Sequence, residues 1–230
     1  MNYQIVIFGY DEYAKEIARG FNKQESSIQI YLLDETSCKQ AVEDGYKAEL
    51  VELDDDWLVL AENFDIEKLK CFCSLSNDAQ NVFLTISLRA QYSSLEIISL
   101  ATSEQSAQKL RLAGASKAIA KLEATAHIIV ESLERPIVVK VMNDIIYKSN
   151  ELLMEEFIIS KTSLACNKYL SELMKICEDF DVLILTLSDE NKDMNFTFTA
   201  EYKTLKLEEG SVLVIMGKIQ NIRKFEREIL

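Results

Sequence analysis

The run Tyr3-Gln4-Ile5-Val6-Ile7-Phe8, followed by Gly9-Tyr10-Asp11 and then by Ala14, Ile17, Ala18 and Phe21, decides how this chain is read. An almost unbroken apolar hexamer is the pattern of a parallel strand covered on both faces. Gly9 ends it, and the apolar positions beyond recur at the spacing of a helix. Working outward, Ile28 to Leu33 is a second strand that ends in Asp34, after which Thr36 is placed to cap a helix running to Glu43. Strand, helix and strand fit within roughly 35 residues, the size of one mononucleotide-binding half.

The alternation carries on. Strands are expected near Ala48 to Leu53, Cys71 to Leu75, Leu95 to Leu100 and Lys117 to Ala120. Helices are expected through Trp57 to Leu60, Asp78 to Gln91, Glu104 to Ala113 and Leu122 to Leu133. Repeated strand–helix units with short connections imply α/β architecture, a Rossmann-like doubly wound parallel sheet over residues 1–135. The only proline, Pro136, opens a connecting helix through Val139, Met142, Ile146 and Tyr147, within residues 136–150. Farther on, strands at Leu152 to Ile159, Val182 to Leu187, Asn195 to Ala200 and Ser211 to Met216 cluster around helical patterns at Tyr169 to Cys177 and Ile219 to Glu228. That rhythm predicts a small α+β C-terminal domain over residues 151–230.

Of the 230 residues, 48% are hydrophobic and 27% charged, which is globular usage with enough chain to bury two modest cores. No apolar run approaches the roughly 18–20 residues that span a bilayer, so no membrane insertion by this chain is expected. A strand starting at about Tyr3 leaves no room for the regions of a signal peptide. Five cysteines without a C-x-x-C pair, and a single histidine, speak for reduced thiols in a cytoplasmic protein and against a zinc site. The net charge of −13 repels phosphate backbones and argues against nucleic acid as a partner. It leaves room for a divalent cation at an acidic cluster, although surface acids ordinarily serve solubility.

A dinucleotide-binding loop calls for glycine at the turn, where the backbone approaches the pyrophosphate, and where helix meets strand. Those places read Gly9, Asp11 and Ala14. The first is kept and the third is an accepted small residue, but the second is a carboxylate in the path of an anionic ligand. Two unit charges about 4 Å apart near a protein surface repel by about 4 kcal/mol, nearly three decades of affinity, so unbridged NAD is penalised. Asp11 has another reading, as a helix cap that uses the N–H groups a phosphate would otherwise take. Asp34 lies roughly 20 residues beyond the glycine turn, where an acidic side chain bonds ribose hydroxyls, and it too has a capping alternative beside Thr36. Ser74, Ser76, Asn77 and Asp78 follow the fourth strand at the carboxyl edge, where ligands of open parallel sheets sit. The candidate ligand site is therefore Gly9, Tyr10, Asp11, Asp34, Ser76 and Asn77, with no catalytic or metal-ligating residue assigned.

These residues carry a family likeness. Ile5 to Phe21, Asp34, Gln108 to Ile119 and the Arg135-Pro136 exit resemble the N-lobe of the RCK, or KTN, regulators of potassium channels and transporters, of the TrkA-N plus TrkA-C type. Glu155-Glu156-Phe157, Ser163, Lys168, Leu170, Leu173 and Leu207 to Gly217 look like the associated C-terminal domain. Three positions depart from the family: Asp11 for a glycine, Asn167 where glycine is common, and Ser211 where aspartate is usual. Asparagine tolerates the left-handed conformation, so the second is mild. The resemblance implies a cytosolic regulatory subunit or domain at the inner face of the cell membrane, gating a potassium channel or transporter membrane subunit. It implies an effector, NAD(H), ATP or ADP in the N-lobe, with divalent cations or cyclic dinucleotides elsewhere in some members. Such gating requires that the ligand bind two states with different affinity. The resemblance further implies a homodimer, and often an octameric ring, with helices near His127 and Tyr147 burying apolar faces against another subunit; packing within the chain's own core is the alternative.

Two other readings share the first lobe. An NAD-dependent oxidoreductase needs a general acid or base near the nicotinamide, and the one histidine, His127, lies in the apolar segment Ala126-His127-Ile128-Ile129, which reads as a packed position. Cys71 and Cys73 point to one side of a buried strand, where thiols behave as small hydrophobes. The second is a ligand-free Rossmann scaffold kept for assembly, and Asp11 is what favours it.

Overall fold

The computed structural model describes residues 3–21, 26–53, 56–147, 152–188, 194–197 and 204–229. The chain divides into two compact units, Met1–Val130 and Glu131–Leu230. In the first, β1 (Tyr3–Phe8), β2 (Ser26–Leu32), β3 (Lys47–Leu50), β4 (Leu69–Cys73), β5 (Glu96–Ala101) and β6 (Lys117–Ala120) form one parallel sheet in the order β3-β2-β1-β4-β5-β6. The crossovers are α1 (Glu12–Gly20), α2 (Glu35–Glu43), the short α3 (Val59–Asn63), α4 (Asp78–Gln91) and α5 (Glu104–Leu112), and α6 (Lys121–Glu134) leads out. Strand order reverses between β1 and β4, the switch point at which open α/β sheets form a crevice. The expected doubly wound lobe is found.

The apolar hexamer does what its pattern requires. Side chains alternate across a strand, so Val6 and Phe8 pack with Trp57, Leu84 and Leu88 on one face, while Ile5 and Ile7 pack with Ala14, Ala18 and Ile30 on the other. Phe8 stacks on Tyr31 at 5.6 Å and meets Trp57 edge-on at 5.1 Å. Cys71 and Cys73, 1% and 0% exposed, belong to the Phe8 cluster, and burial pushes the Cys73 thiol up to about 12. They are core residues, as the strand pattern predicts.

Polar pins fix the loops at the carboxyl edge. Buried Asn81 of α4 accepts from the Leu75 N–H at 2.9 Å and donates to the carbonyls of Leu75 at 3.1 Å and Leu100 at 3.5 Å, which ties the loop after β4 to β5. Two local expectations change. The helix after β2 is capped by Asp34 and not by Thr36: Asp34 is the last extended residue, at φ −137 and ψ 146, and its carboxylate accepts from the Ser37 N–H at 2.8 Å. His127 is exposed, as α6 contains no buried residue among those described. Its apolar neighbours face outward instead of into this lobe.

In the second unit, α7 (Pro136–Tyr147) precedes β7 (Leu152–Ile158), α8 (Leu170–Asp179), β8 (Val182–Ser188), β9 (Met194–Phe196), β10 (Val212–Lys218) and α9 (Ile219–Ile229). The strands pair antiparallel in the order β7-β10-β8-β9. Ile184, Leu213 and Ile215 pack with Leu170, Leu173 and Cys177 of α8 and with Ile222 and Phe225 of α9. This is the expected small α+β fold. Asn167 adopts the left-handed conformation at φ 66, and the Ser211 hydroxyl accepts from the Glu208 N–H at 3.2 Å. Residues 198–200 of the expected third strand, and the side chains of Ile146 and Tyr147, lie outside the described residues.

Gly9 sets the approach of β1 to β4. It sits at φ +101, and a Cβ there would stand 2.3 Å from the Ser74 carbonyl oxygen. Backbone strain and overpacking together lead us to expect that Gly9→Ala destabilises the chain by about 3 kcal/mol or more. Gly20, with open space around it, supplies the control: Gly20→Ala should stabilise by about 0.5 kcal/mol. Urea midpoints at unchanged slope measure both changes.

Candidate functional site

At the carboxyl ends of β1, β2 and β4 lies a cleft of about 180 Å³. Its walls are Gly9 to Asp11 after β1, Leu32 to Asp34 at the end of β2, and Ser74 to Ser76 after β4, with Ser37 from α2. Five of the six expected site residues, Gly9, Tyr10, Asp11, Asp34 and Ser76, come together in this cleft. Asn77 stands beside it and caps α4, its carbonyl oxygen accepting from the Ala79 N–H at 2.8 Å.

Asp11 is committed twice. One carboxylate oxygen caps α1 by accepting from the Ala14 N–H at 2.9 Å, and the other lies 3.3 Å from the Lys121 ammonium. The two side chains are 32% and 26% exposed, so the pair is partly shielded from water. Lys121 opens α6, and its ammonium also lies 4.8 Å over the ring of Tyr13. The capping role of Asp11 is thus joined by an ion pair across 110 residues.

The other groups divide between bracing and availability. Tyr10 is buried and donates from its hydroxyl to Asp44 at 2.7 Å; burial first, and then this bond, push the phenol well up. The Ser37 backbone N–H, and then its hydroxyl, hold the Asp34 carboxyl below its usual range. With the Thr36 N–H these bonds use three of the roughly four acceptor positions of the carboxylate and leave one. Ser74 is 1% exposed, and its hydroxyl has no partner. Asp78 is pulled two ways: burial opposes its ionisation, but bonds from Ser106 and Thr102, with the Lys121 charge, outweigh burial and lower its pKa.

Lys121 escaped the sequence reading. The available signal was its position directly after the last parallel strand, on the same sheet edge as Asp11. Both charged side chains of the cleft wall, Asp11 and Asp34, are carboxylates. Among the described residues, no group of three or more His, Cys, Asp or Glu is placed to hold a metal, and no helix is long and apolar enough to cross a membrane.

Residues 5–121 match the profile of the TrkA-N domain, from within β1 to Lys121. The chain belongs to the TrkA-N family. Over its whole length this TrkA-N chain is 25% identical, across 233 residues, to potassium channel protein 1 of Methanocaldococcus jannaschii, of which it covers 67%. The TrkA-N domain of the inner membrane protein ybaL from Escherichia coli has the same fold over 57% of this chain and 96% of that one, at 17% identity and a TM-score of 0.50. The GsuK RCK domain aligns with 98% of this chain at 17% identity and a TM-score of 0.48. The chain spans 46% of the length of that RCK structure.

The Asp78 shift carries a pH dependence. Its folded pKa is lower than the unfolded value of about 3.9, so Asp78 adds stability above that pH and loses it as the pH falls through the folded value. Asp78→Asn should therefore be less stable than wild type at neutral pH and converge on it in acid. Urea midpoints measured across pH 2.5–7 check this, and a pH-independent gap would contradict it.

Proposed function

We propose that this chain is the ligand-sensing regulatory unit of a potassium channel or transporter, held at the cytoplasmic face of the membrane by its pore-forming partner. One observation carries the reading: the TrkA-N match over residues 5–121 sits inside a full-length similarity to a protein named as a potassium channel. The cleft supplies the sensing element. Its walls come from the ends of three neighbouring strands, so a ligand that fills it favours one arrangement of those loops over another, which is the differential affinity that gating requires.

Transmission needs a second subunit, and α6 and α7 offer the surface. Leu122, Ile128 and Leu133 of α6, and Ile137, Val141 and Met142 of α7, are all exposed, with Leu133 at 78% and Ile137 at 77%. Large apolar side chains left exposed in this number along each helix mark an interaction site. A homodimer formed through these helices, repeated into rings, would couple cleft occupancy to a pore. Regulation is favoured over hydride transfer because the cleft wall holds no histidine and its two carboxylates cap helices.

Sedimentation and flux test this together. The wild-type chain should sediment as a dimer or larger, and the Ile128→Asp/Val141→Asp variant as a folded monomer. In vesicles holding the pore-forming partner, the wild-type chain should make potassium flux respond to ligand, and the monomeric variant should not. A wild-type monomer, or flux indifferent to the chain, would refute the proposal.

A further inference from the structure

Resting on the reading of the switch-point cleft as an effector site, we propose that its ligand is a nucleoside without 5′ phosphates, and that the Asp11–Lys121 pair sets this preference. A dinucleotide loop attracts phosphate because the first N–H groups of its helix are free and the helix dipole is positive there. Here the protein supplies its own anion. Asp11 takes the Ala14 N–H at 2.9 Å and sits 3.3 Å from Lys121, so the Lys121 cation is neutralised within the chain. An incoming diphosphate must displace Asp11 from both partners or lie against its charge. An unscreened like charge at about 4 Å would weaken binding by about three decades, and shielding by Lys121 reduces this to roughly one or two.

What remains in the cleft suits a neutral ligand. Asp34 accepts from the Ser37 N–H and hydroxyl and from the Thr36 N–H, which still leaves one of the roughly four acceptor positions of a carboxylate, and it stands where a ribose diol is bound in sheets of this order. Leu32, Leu33 and Leu75 form an apolar wall for a base. Ser74, also in the wall, carries a buried hydroxyl with no partner in the protein, and such groups are few in native structures. It can bond a neutral heteroatom without meeting the electrostatic objection.

Adenosine and ADP share base and sugar and differ only in the diphosphate, so titration calorimetry with the full chain in EDTA isolates the proposal. Wild type should bind adenosine roughly tenfold or more tightly than ADP, and Asp34→Asn should lose most of the adenosine affinity. Asp11→Asn keeps a competent helix cap while removing the charge, so it should fold and gain ADP affinity by roughly tenfold or more. Asp11→Asn/Lys121→Met should lose that gain. Wild type binding ADP as tightly as adenosine would overturn the proposal. ADP binding to Asp11→Asn with no adenosine binding to wild type would overturn it while leaving the effector-site reading in place. No binding of either compound to any of these proteins would overturn both.

Discussion

The close approach of Gly9 to the Ser74 carbonyl is the constraint on which the first lobe depends. It lets the turn after β1 lie against the turn after β4, and one backbone bond on each side of β1 continues the sheet: Gly9 N–H donates to the Tyr31 carbonyl of β2 at 3.0 Å, and Ser74 N–H, just past β4, donates to the Phe8 carbonyl at 2.8 Å. These bonds carry the strand pairing of the three central strands past their ends. The cleft walls are therefore extensions of the sheet, which makes a small cleft well defined.

Several helices begin at this same edge, and each is provided with its own acceptor: Asp11 for α1, Asp34 for α2, Asn77 for α4 and Ser103 for α5. Convergent helix N-termini create a positive field that ordinarily recruits an anion. In this chain the field is satisfied by side chains, and at α1 by a full carboxylate whose counter-charge is Lys121. The switch-point crevice keeps its form, and at α1 the Asp11 carboxylate occupies a helix N–H that a bound anion would otherwise take. A regulatory unit needs only a ligand with unequal affinity for two states, and a neutral ligand meets that condition as well as an anionic one.

Much of this was legible in the sequence. The hexamer Tyr3 to Phe8 could serve only a strand buried on both faces, and the glycine after it could serve only a turn against another backbone. Asp11 was readable as a cap because aspartate is among the few residues that bond the N–H groups of a helix start. The choice between Asp34 and Thr36 was not, since both are capping types and the last extended backbone position decides between them. Lys121 was invisible because its partner lies 110 residues away, and local spacing says nothing about tertiary pairs. His127 was misread for a related reason. An apolar period records that a surface is meant to be covered, not whether the chain's own core or another copy covers it.

The most direct test of the self-supplied anion is hydrogen exchange at the Ala14 amide, whose side-chain partner is the Asp11 carboxylate. In the wild-type chain this amide should exchange slowly, and in Asp11→Ala it should approach the unprotected rate while Val6 and Ile7 in β1 remain protected. Equal exchange at Ala14 in the two proteins would mean that the carboxylate does not fill the anion position, and the electrostatic account of the cleft would fall with it.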